Sequence, residues 1–243
     1  MGFLSYNIVM IKKLTDAIKN AKRITFFSGA GMSTDSGIPD FRSENGLYKN
    51  NKHAEEIISH SFFMENPKEF YEFYKEKMIF KDAKPNYGHK FIADLQDTKD
   101  VTVVTQNIDG LHQLAGSKKV YELHGSIHRN YCMKCHKFYT LEDILNKGDV
   151  PYCDCGGLIK PDVVLYEESL DSKIINDSID AIMGCELMII LGTSLNVYPA
   201  AGLIKYFRGS TLAIINKSPT TSDSFCDIII HESISETFKK IKL

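Results

Sequence analysis

At 243 residues the chain has room for one large α/β domain, or for such a domain carrying a small inserted one. Its 29 Lys+Arg nearly balance 31 Asp+Glu, which excludes the broad positive field that draws a protein to nucleic acid or acidic membranes without a specific site. No apolar run approaches the ~20 residues needed to span a bilayer, and six cysteines are too few for a disulfide scaffold, so a reducing, cytoplasmic setting is expected.

The opening MGFLSYNIVMIKK has no basic residue ahead of its apolar stretch and no small-residue cleavage site, so it does not read as a signal peptide. Ile11, Leu14 and Ile18 then recur at helical spacing, predicting a helix packed on a core. Ile24–Phe27 follows as a short strand that stops at Ser28-Gly29-Ala30-Gly31. Similar apolar runs at Val101–Thr105, Leu187–Leu191, Leu212–Ile215 and Ile228–Ile230 alternate with helical stripes, one of Tyr87, Phe91, Ile92 and Leu95, another of Ile174, Ile175, Ile179, Ile182 and Met183. Continuous apolar strands separated by helices predict a doubly wound, Rossmann-like parallel sheet covered on both faces. Ser233 and Glu236 form a capping-box pair at the start of the last helix. Two segments break this rhythm. Residues 45–85 are aromatic-rich and helical in pattern, and residues 126–160 hold clustered cysteines. The expected organisation is a dinucleotide-binding core of residues 1–44, 86–125 and 161–243, a helical insertion and a zinc-binding module.

Cys132-x-x-Cys135 and Cys153-x-Cys155 place two cysteine knuckles at the ends of a loop, as a tetrahedral four-thiolate zinc site requires. Four thiolates leave no position open for water, so the zinc is expected to be structural, and Gly156-Gly157 supplies the tight backbone. Cys185 and Cys226 read as core residues. Gly29-Ala30-Gly31 after a strand is the beginning of a phosphate-cradling turn. Thr34 stands where a third glycine would complete G-x-G-x-x-G, and no acid follows at ribose-reading distance, which disfavours an ordinary nicotinamide dehydrogenase. The continuation through Asp40-Phe41-Arg42-Ser43 is a loop long enough to fold over a ligand. Gln106, Asn107, Ile108 and Asp109 emerge at a strand's carboxyl end, where α/β proteins build their sites. His124 beside Gly125 is a candidate general base, since histidine titrates near neutrality. Gly192-Thr193-Ser194 and Asn216 occupy two more strand ends.

Taken in order, GAGMSTDSGIPDFRS, TQNIDGLH, ELHGS, the cysteine pairs, KPDVVLYEE and GTSLNVYPA resemble the sirtuin family, bacterial type, over essentially the whole chain. The resemblance implies a Rossmann-like domain, a small zinc domain, and an enzyme that uses NAD as co-substrate. It would transfer an acetyl group from protein lysine to ADP-ribose and release nicotinamide, making acetylated lysine side chains its partners. By matching motif, Gly29, Ala30, Thr34, Asp40, Phe41 and Arg42 would line the cofactor loop. Gln106, Asn107, Ile108 and Asp109 would surround nicotinamide and its ribose, Asp109 accepting from the carboxamide and Asn107 holding ribose or water. His124 would be the base, and Gly192, Thr193, Ser194, Asn216 and Ile234 would hold the adenosine half. Substrate would meet Tyr71, Tyr74, Val163, Val164, Tyr166 and Asn196, the peptide lying extended between edges at Val163–Tyr166 and Leu195–Tyr198. Sirtuins that favour succinyl-lysine carry, three residues after the tyrosine matched by Tyr71, an arginine whose place Tyr74 takes here. Glu167 replaces the family's glycine and is expected to narrow the cleft or favour basic flanking residues. Rival readings are protein mono-ADP-ribosyl transfer, a non-catalytic NAD-sensing module, and thiol redox chemistry at Cys132-x-x-Cys135.

Overall fold

The structure is a computed structural model that describes residues 3–40, 46 and 53–243. Six parallel strands form the main sheet: β1 (Arg23–Ser28), β2 (Asp100–Thr105), β3 (Val120–Glu122), β7 (Leu187–Leu191), β8 (Thr211–Ile215) and β9 (Ile228–Ile230), in the order β3-β2-β1-β7-β8-β9. The order reverses between β1 and β7, so the crevice outside their carboxyl ends is the place where a doubly wound sheet binds ligands. The expected Rossmann-like sheet is present, with β3 in addition: its three half-buried residues lack the apolar run that marks an interior strand.

Both faces of the sheet are covered because alternate residues point opposite ways. Phe26, Val103, Ile189 and Ile215 join α1 (Phe3–Asn20), α5 (Tyr87–Leu95) and α9 (Ile234–Lys239) in one core, which also contains Leu14, Ile18, Ile92 and Phe238. Phe27, Val104, Met188, Ile190 and Ile214 face the other way onto Ile182 of α8 (Ser172–Gly184) and the 3₁₀ segment Ala200–Tyr206. Each fully buried large apolar side chain contributes roughly 1.5–3 kcal/mol relative to exposure. The periodic stripes mark these helices correctly, but their outermost members, Tyr87 and Met183, are exposed. At the head of α9 the Ser233 side chain accepts from Glu236 N–H, the first half of the expected capping pair.

The helical insertion contributes α2 (Ala54–Ile57), α3 (His60–Glu65) and α4 (Pro67–Lys77). Its buried rings Phe63, Phe70, Tyr71 and Tyr74 pack directly on the second module, against Ile127, Tyr139, Ile159 and Val163. That module is a three-stranded antiparallel sheet, β5 (Phe138–Tyr139), β4 (Gly125–Cys132) and β6 (Ile159–Val163), with α7 (Leu141–Leu145) alongside. Its strands run from residue 125 to residue 163, slightly beyond the 126–160 expected from composition. A short α6 (Leu111–Leu114) follows β2. Among the described residues no helix is long and apolar enough to cross a membrane.

Two buried histidines, His89 on α5 and His112 on α6, lie against each other beneath the carboxyl ends of β1 and β2. Burial holds His89 down to about 4 and His112 well below its ordinary range. The unfolded chain therefore takes up protons near pH 6.5 that the folded chain refuses, so stability is fully present above that pH and is lost as pH falls toward 4. From His89 alone the loss by pH 5 is about 2 kcal/mol. Denaturant unfolding is expected to show a lower midpoint at pH 5 than at pH 7, with a smaller difference in His89→Phe. An equal or higher midpoint at pH 5 would refute this.

Candidate active site

The loops after β1 and β7 meet at the switch point, and the glycines are needed for that meeting. A Cβ on Gly29 would lie 2.6 Å from Thr193 Cβ, and one on Gly31 would lie 2.7 Å from Gly192 Cα. Gly31 N–H donates to Gly192 O at 2.8 Å, and Gly29 N–H to Leu191 O at 2.9 Å. These two amides thus bind the neighbouring loop, whereas the sequence alone suggested a turn open to pyrophosphate. Ala30 opens a 3₁₀ turn on this crossing and Thr34 opens the next, with Thr34 Oγ1 donating to Gly31 O. Asp40 lies further along this loop, and Phe41 and Arg42 fall outside the described residues.

Ser33, which the sequence reading missed, is where the site converges. Its buried hydroxyl donates to Asp109 Oδ2 at 2.6 Å and accepts from Asn107 Nδ2 at 3.1 Å. Asp109 Oδ1 also accepts from Leu111 N–H at 2.9 Å. Burial pushes the Asp109 carboxyl up, although Ser33, Leu111 and His128 each favour its ionised form. A carboxylate has more acceptor positions than these two bonds fill, so Asp109 retains capacity for an amide N–H. Gln106 reaches across the switch point, Nε2 donating to Thr193 Oγ1 at 3.1 Å. Asn216 Nδ2 donates to Thr193 O at 2.8 Å, tying the ends of β2, β7 and β8 together. Gly192 is left-handed at φ +58, and Ser194 is half-buried beside Thr193. The Ile234 side chain instead packs into the main core, so only its backbone heads α9. Asp35 fastens the loop to α9 through Ser233 Oγ at 2.7 Å and pairs with Lys217 at 3.6 Å.

His124 sits between β3 and β4. Its Nδ1–H donates to Gln106 O at 2.9 Å, which fixes the neutral ring with its lone pair on Nε2, the form that removes a proton. Burial lowers its affinity for protons, an effect that Gln106 O partly offsets. Among the described residues no group hydrogen-bonds Nε2. Ile108 lies at the edge of the aromatic cluster with Tyr71 and Tyr74, both fully buried.

The four cysteines fulfil the expected geometry. Their sulfurs all lie within 4.8 Å of one another, with Cys132–Cys155 and Cys135–Cys153 at 3.5 Å. A tetrahedral ion with bonds of about 2.3 Å places sulfurs about 3.8 Å apart, so the set fits zinc closely. Gly157 is required, since a Cβ there would lie 2.6 Å from Cys132 Sγ, and Gly156 is left-handed at φ +80. Cys185 is buried and Cys226 half-buried in apolar surroundings, away from the metal set.

Two expectations about the substrate cleft change. Glu167 adopts φ +75, which accounts for a glycine preference at this point, and its carboxylate turns away to accept from Ser61 N–H at 2.9 Å and Ser61 Oγ at 3.0 Å. The charge is thus spent at the head of α3. The expected edges are not free strands: Tyr166 N–H donates to Ile58 O, Tyr166 O accepts from His60 N–H, and Val164 N–H donates to His124 O. Leu195–Tyr198 is a bend, with Leu195 left-handed at φ +55 and Asn196 exposed. Val163 is buried between the module and the aromatic helices.

A sequence model of the Sir2 family matches residues 29–199. The chain is 54% identical over 238 residues to an NAD-dependent protein deacetylase of Clostridium acetobutylicum, covering 95% of this chain and 97% of that protein. It is 46% identical to one of Cutibacterium acnes, covering 95% and 97%. Among solved structures, it superposes on a Sir2 variant with deacetylated p53 peptide and 3'-O-acetyl ADP ribose at a TM-score of 0.87 and 40% identity, covering 94% of this chain and 96% of that one. It superposes on Sir2 with p53 peptide and NAD+ at 0.84 and 40% identity, covering 95% and 96%. The family model, the sequence identities and the superpositions agree: the chain belongs to the Sir2 family, the sirtuins.

Proposed function

We propose that the chain is an NAD-dependent protein-lysine deacetylase that transfers the acetyl group to ADP-ribose and releases nicotinamide, acting in the reducing cytoplasm. The observation that carries this is His124: a desolvated neutral imidazole with Nδ1 committed to Gln106 O is a base held in its working tautomer. A module that merely sensed NAD would need no base. When bound, NAD supplies the ADP-ribose that accepts the acetyl group as nicotinamide leaves. Asp109 would accept from the carboxamide N–H, and Asn107, held by Ser33, would orient the ribose or an ordered water. Gln106, Ile108 and the loop from Gly29 through Ala30, Thr34, Asp40, Phe41 and Arg42 would enclose the cofactor. Gly192, Thr193, Ser194, Asn216 and the backbone at Ile234 would hold its adenosine half. Enclosure and alignment matter because the amide oxygen is a weak nucleophile, so excluding water and fixing geometry supply much of the rate. His124 Nε2 then removes a proton from the ribose hydroxyl. Cys132, Cys135, Cys153 and Cys155 hold zinc as a structural ion.

The acylated peptide would pass between the zinc module and the main sheet, past Val163, Val164, Tyr166 and Asn196, with Tyr71 and Tyr74 behind the acyl group. Tyr71 OH is committed to Ile159 O, whereas Tyr74 OH is buried without a partner among the described residues. Lys75 Nζ lies 5.7 Å from the centroid of the Tyr71 ring but donates to the carbonyls of Gly148 and Asp149, so this cation is already engaged and is no free partner for an acyl carboxylate. A succinyl carboxylate would be buried without a counter-charge, costing several kcal/mol. Incubation with an acetyl-lysine peptide is expected to give deacetylation and nicotinamide release only with NAD. The matched succinyl peptide is expected to have a kcat/KM at least about 100-fold lower. Deacetylation without NAD, or ADP-ribose added to the peptide's mass in place of deacetylation, would overturn the reading. Equal or better succinyl turnover would overturn the acyl-pocket argument alone.

A further inference from the structure

His89 and His112 take no part in the chemistry above, yet each has a buried ring nitrogen without a partner among the described residues, His89 Nε2 and His112 Nδ1. Their remaining bonds fix where the protons lie. Asn86 N–H donates to His89 Nδ1 at 3.3 Å, so the neutral ring carries its proton on Nε2. Ser28 Oγ–H donates to Thr105 Oγ1 at 2.9 Å, so toward His112 the serine is an acceptor, and His112 Nε2, 3.0 Å away, carries the proton. His112 Nδ1 is then a lone pair. The unmatched groups are therefore a donor on His89 and an acceptor on His112, on rings whose centroids lie 4.7 Å apart.

Both ends of this series lead to the active site. Thr105 Oγ1 accepts from Asn107 N–H at 3.0 Å, and the Asn107 side chain donates to Ser33. Asn86 Nδ2 donates to Met32 O at 2.8 Å and to Ser36 Oγ at 3.0 Å, on either side of Ser33. Asn86, both histidines, Ser28 and Thr105 thus lie along a path around Ser33 and Asn107, the pair that orients Asp109, with its one break between the two histidine rings.

We propose that His89 Nε2–H and His112 Nδ1, which make no hydrogen bond among the described residues but sit on adjacent rings, pair with each other in solution and so join Asn86, His89, His112, Ser28 and Thr105 into one hydrogen-bond chain, which makes His89 and His112 positioning residues for Asn107 and Ser33. From Asn86 to Ser28 each member donates to the next, so each bond polarises the one after it and burial strengthens them, and Thr105 Oγ1 ends the series as the acceptor of both Ser28 Oγ–H and Asn107 N–H. A charged His112 would place two donors face to face at the central link and a charged His89 would do so against Asn86 N–H, and burial holds both rings neutral. What the chain positions rests on the deacetylase reading; its existence does not.

Two measurements test it. In the uniformly ¹⁵N-labelled protein at neutral pH, imidazole ¹⁵N shifts are expected to show both rings neutral with the proton on Nε2. A proton on His112 Nδ1 or His89 Nδ1 alone, or a charged ring, overturns the chain even if the enzyme proves to be no deacetylase. In the second, Ser28→Ala and His89→Phe are each expected to lower kcat/KM for NAD about tenfold, and the double variant to lower it about tenfold as well, because both changes cut one chain. A double variant down about 100-fold, the product of independent packing losses, overturns the coupling. Unchanged zinc content and melting temperature identify the variants that have folded.

Discussion

His124→Ala is expected to lower deacetylation by about 10²–10⁴-fold while leaving NAD affinity within a few fold of wild type. The base acts on a proton that must leave only after the acyl oxygen has attacked, so its loss raises a barrier rather than weakening the ground-state complex. The geometry sharpens the expectation. Nδ1 is already committed to Gln106 O, so removing the ring frees one backbone carbonyl and leaves the Ser33–Asn107–Asp109 cluster intact. Burial keeps the ring's proton affinity below its ordinary value of 6.5, so the acid limb of kcat/KM in wild type should lie below that pH. Titration calorimetry with NAD, beside single-turnover deacetylation, checks both parts. Near-wild-type turnover, or abolished NAD binding, would remove His124 from the role of base.

Cys132→Ser is expected to have the largest effect on stability. Cys132 is buried, its Sγ accepts from the N–H groups of Lys134 and Cys135, and it heads the knuckle at the end of β4. Zinc held by four thiolates contributes on the order of 10 kcal/mol of folding free energy to a small module. The damage will not stop at the module, because Phe63, Phe70, Tyr71 and Tyr74 of the helical insertion share its core. Loss of zinc should therefore loosen the aromatic helices, lower the melting temperature by more than 10 °C, and abolish turnover through the acyl wall. Metal analysis and thermal melts decide the matter; a stoichiometric zinc content with unchanged melting and activity would refute it.

Much of this molecule is legible in its sequence because short-range patterns carry it. Apolar runs such as Leu187–Leu191 mark interior strands, the three-four spacing of Leu14 and Ile18 marks a core-facing helix, and the cysteine spacing marks a metal knuckle. Strand ends were readable as site positions for the same reason, since a polar residue directly after an apolar run can only emerge at the sheet's carboxyl edge. Ser33, His89 and Glu167 show where that kind of reading fails. Nothing local marks Ser33 as the hydroxyl that joins Asn107 to Asp109, because those partners are 74 and 76 residues away. His89 stands outside the apolar stripe read for its helix, yet it is fully buried against His112. Glu167 was expected to charge the cleft, but a left-handed backbone turns its carboxylate onto Ser61, 106 residues away in the chain.

The sequence by itself determined the strand–helix alternation and the four-thiolate metal set, which rest on residue type and spacing within a few tens of residues, and the family resemblance with the candidate base it implies, which rest on motifs strung in order along the whole chain. Only the tertiary structure decided the tautomer of His124, the use of Gly29 and Gly31 to bring two loops together, the seating of the aromatic helices on the zinc module, and the bonds that join Ser33 to Asn107 and Asp109. Each of these depends on which distant segments meet and at what distance. Hydrogen-bond direction and burial are properties of that meeting, and no periodicity in the chain encodes them.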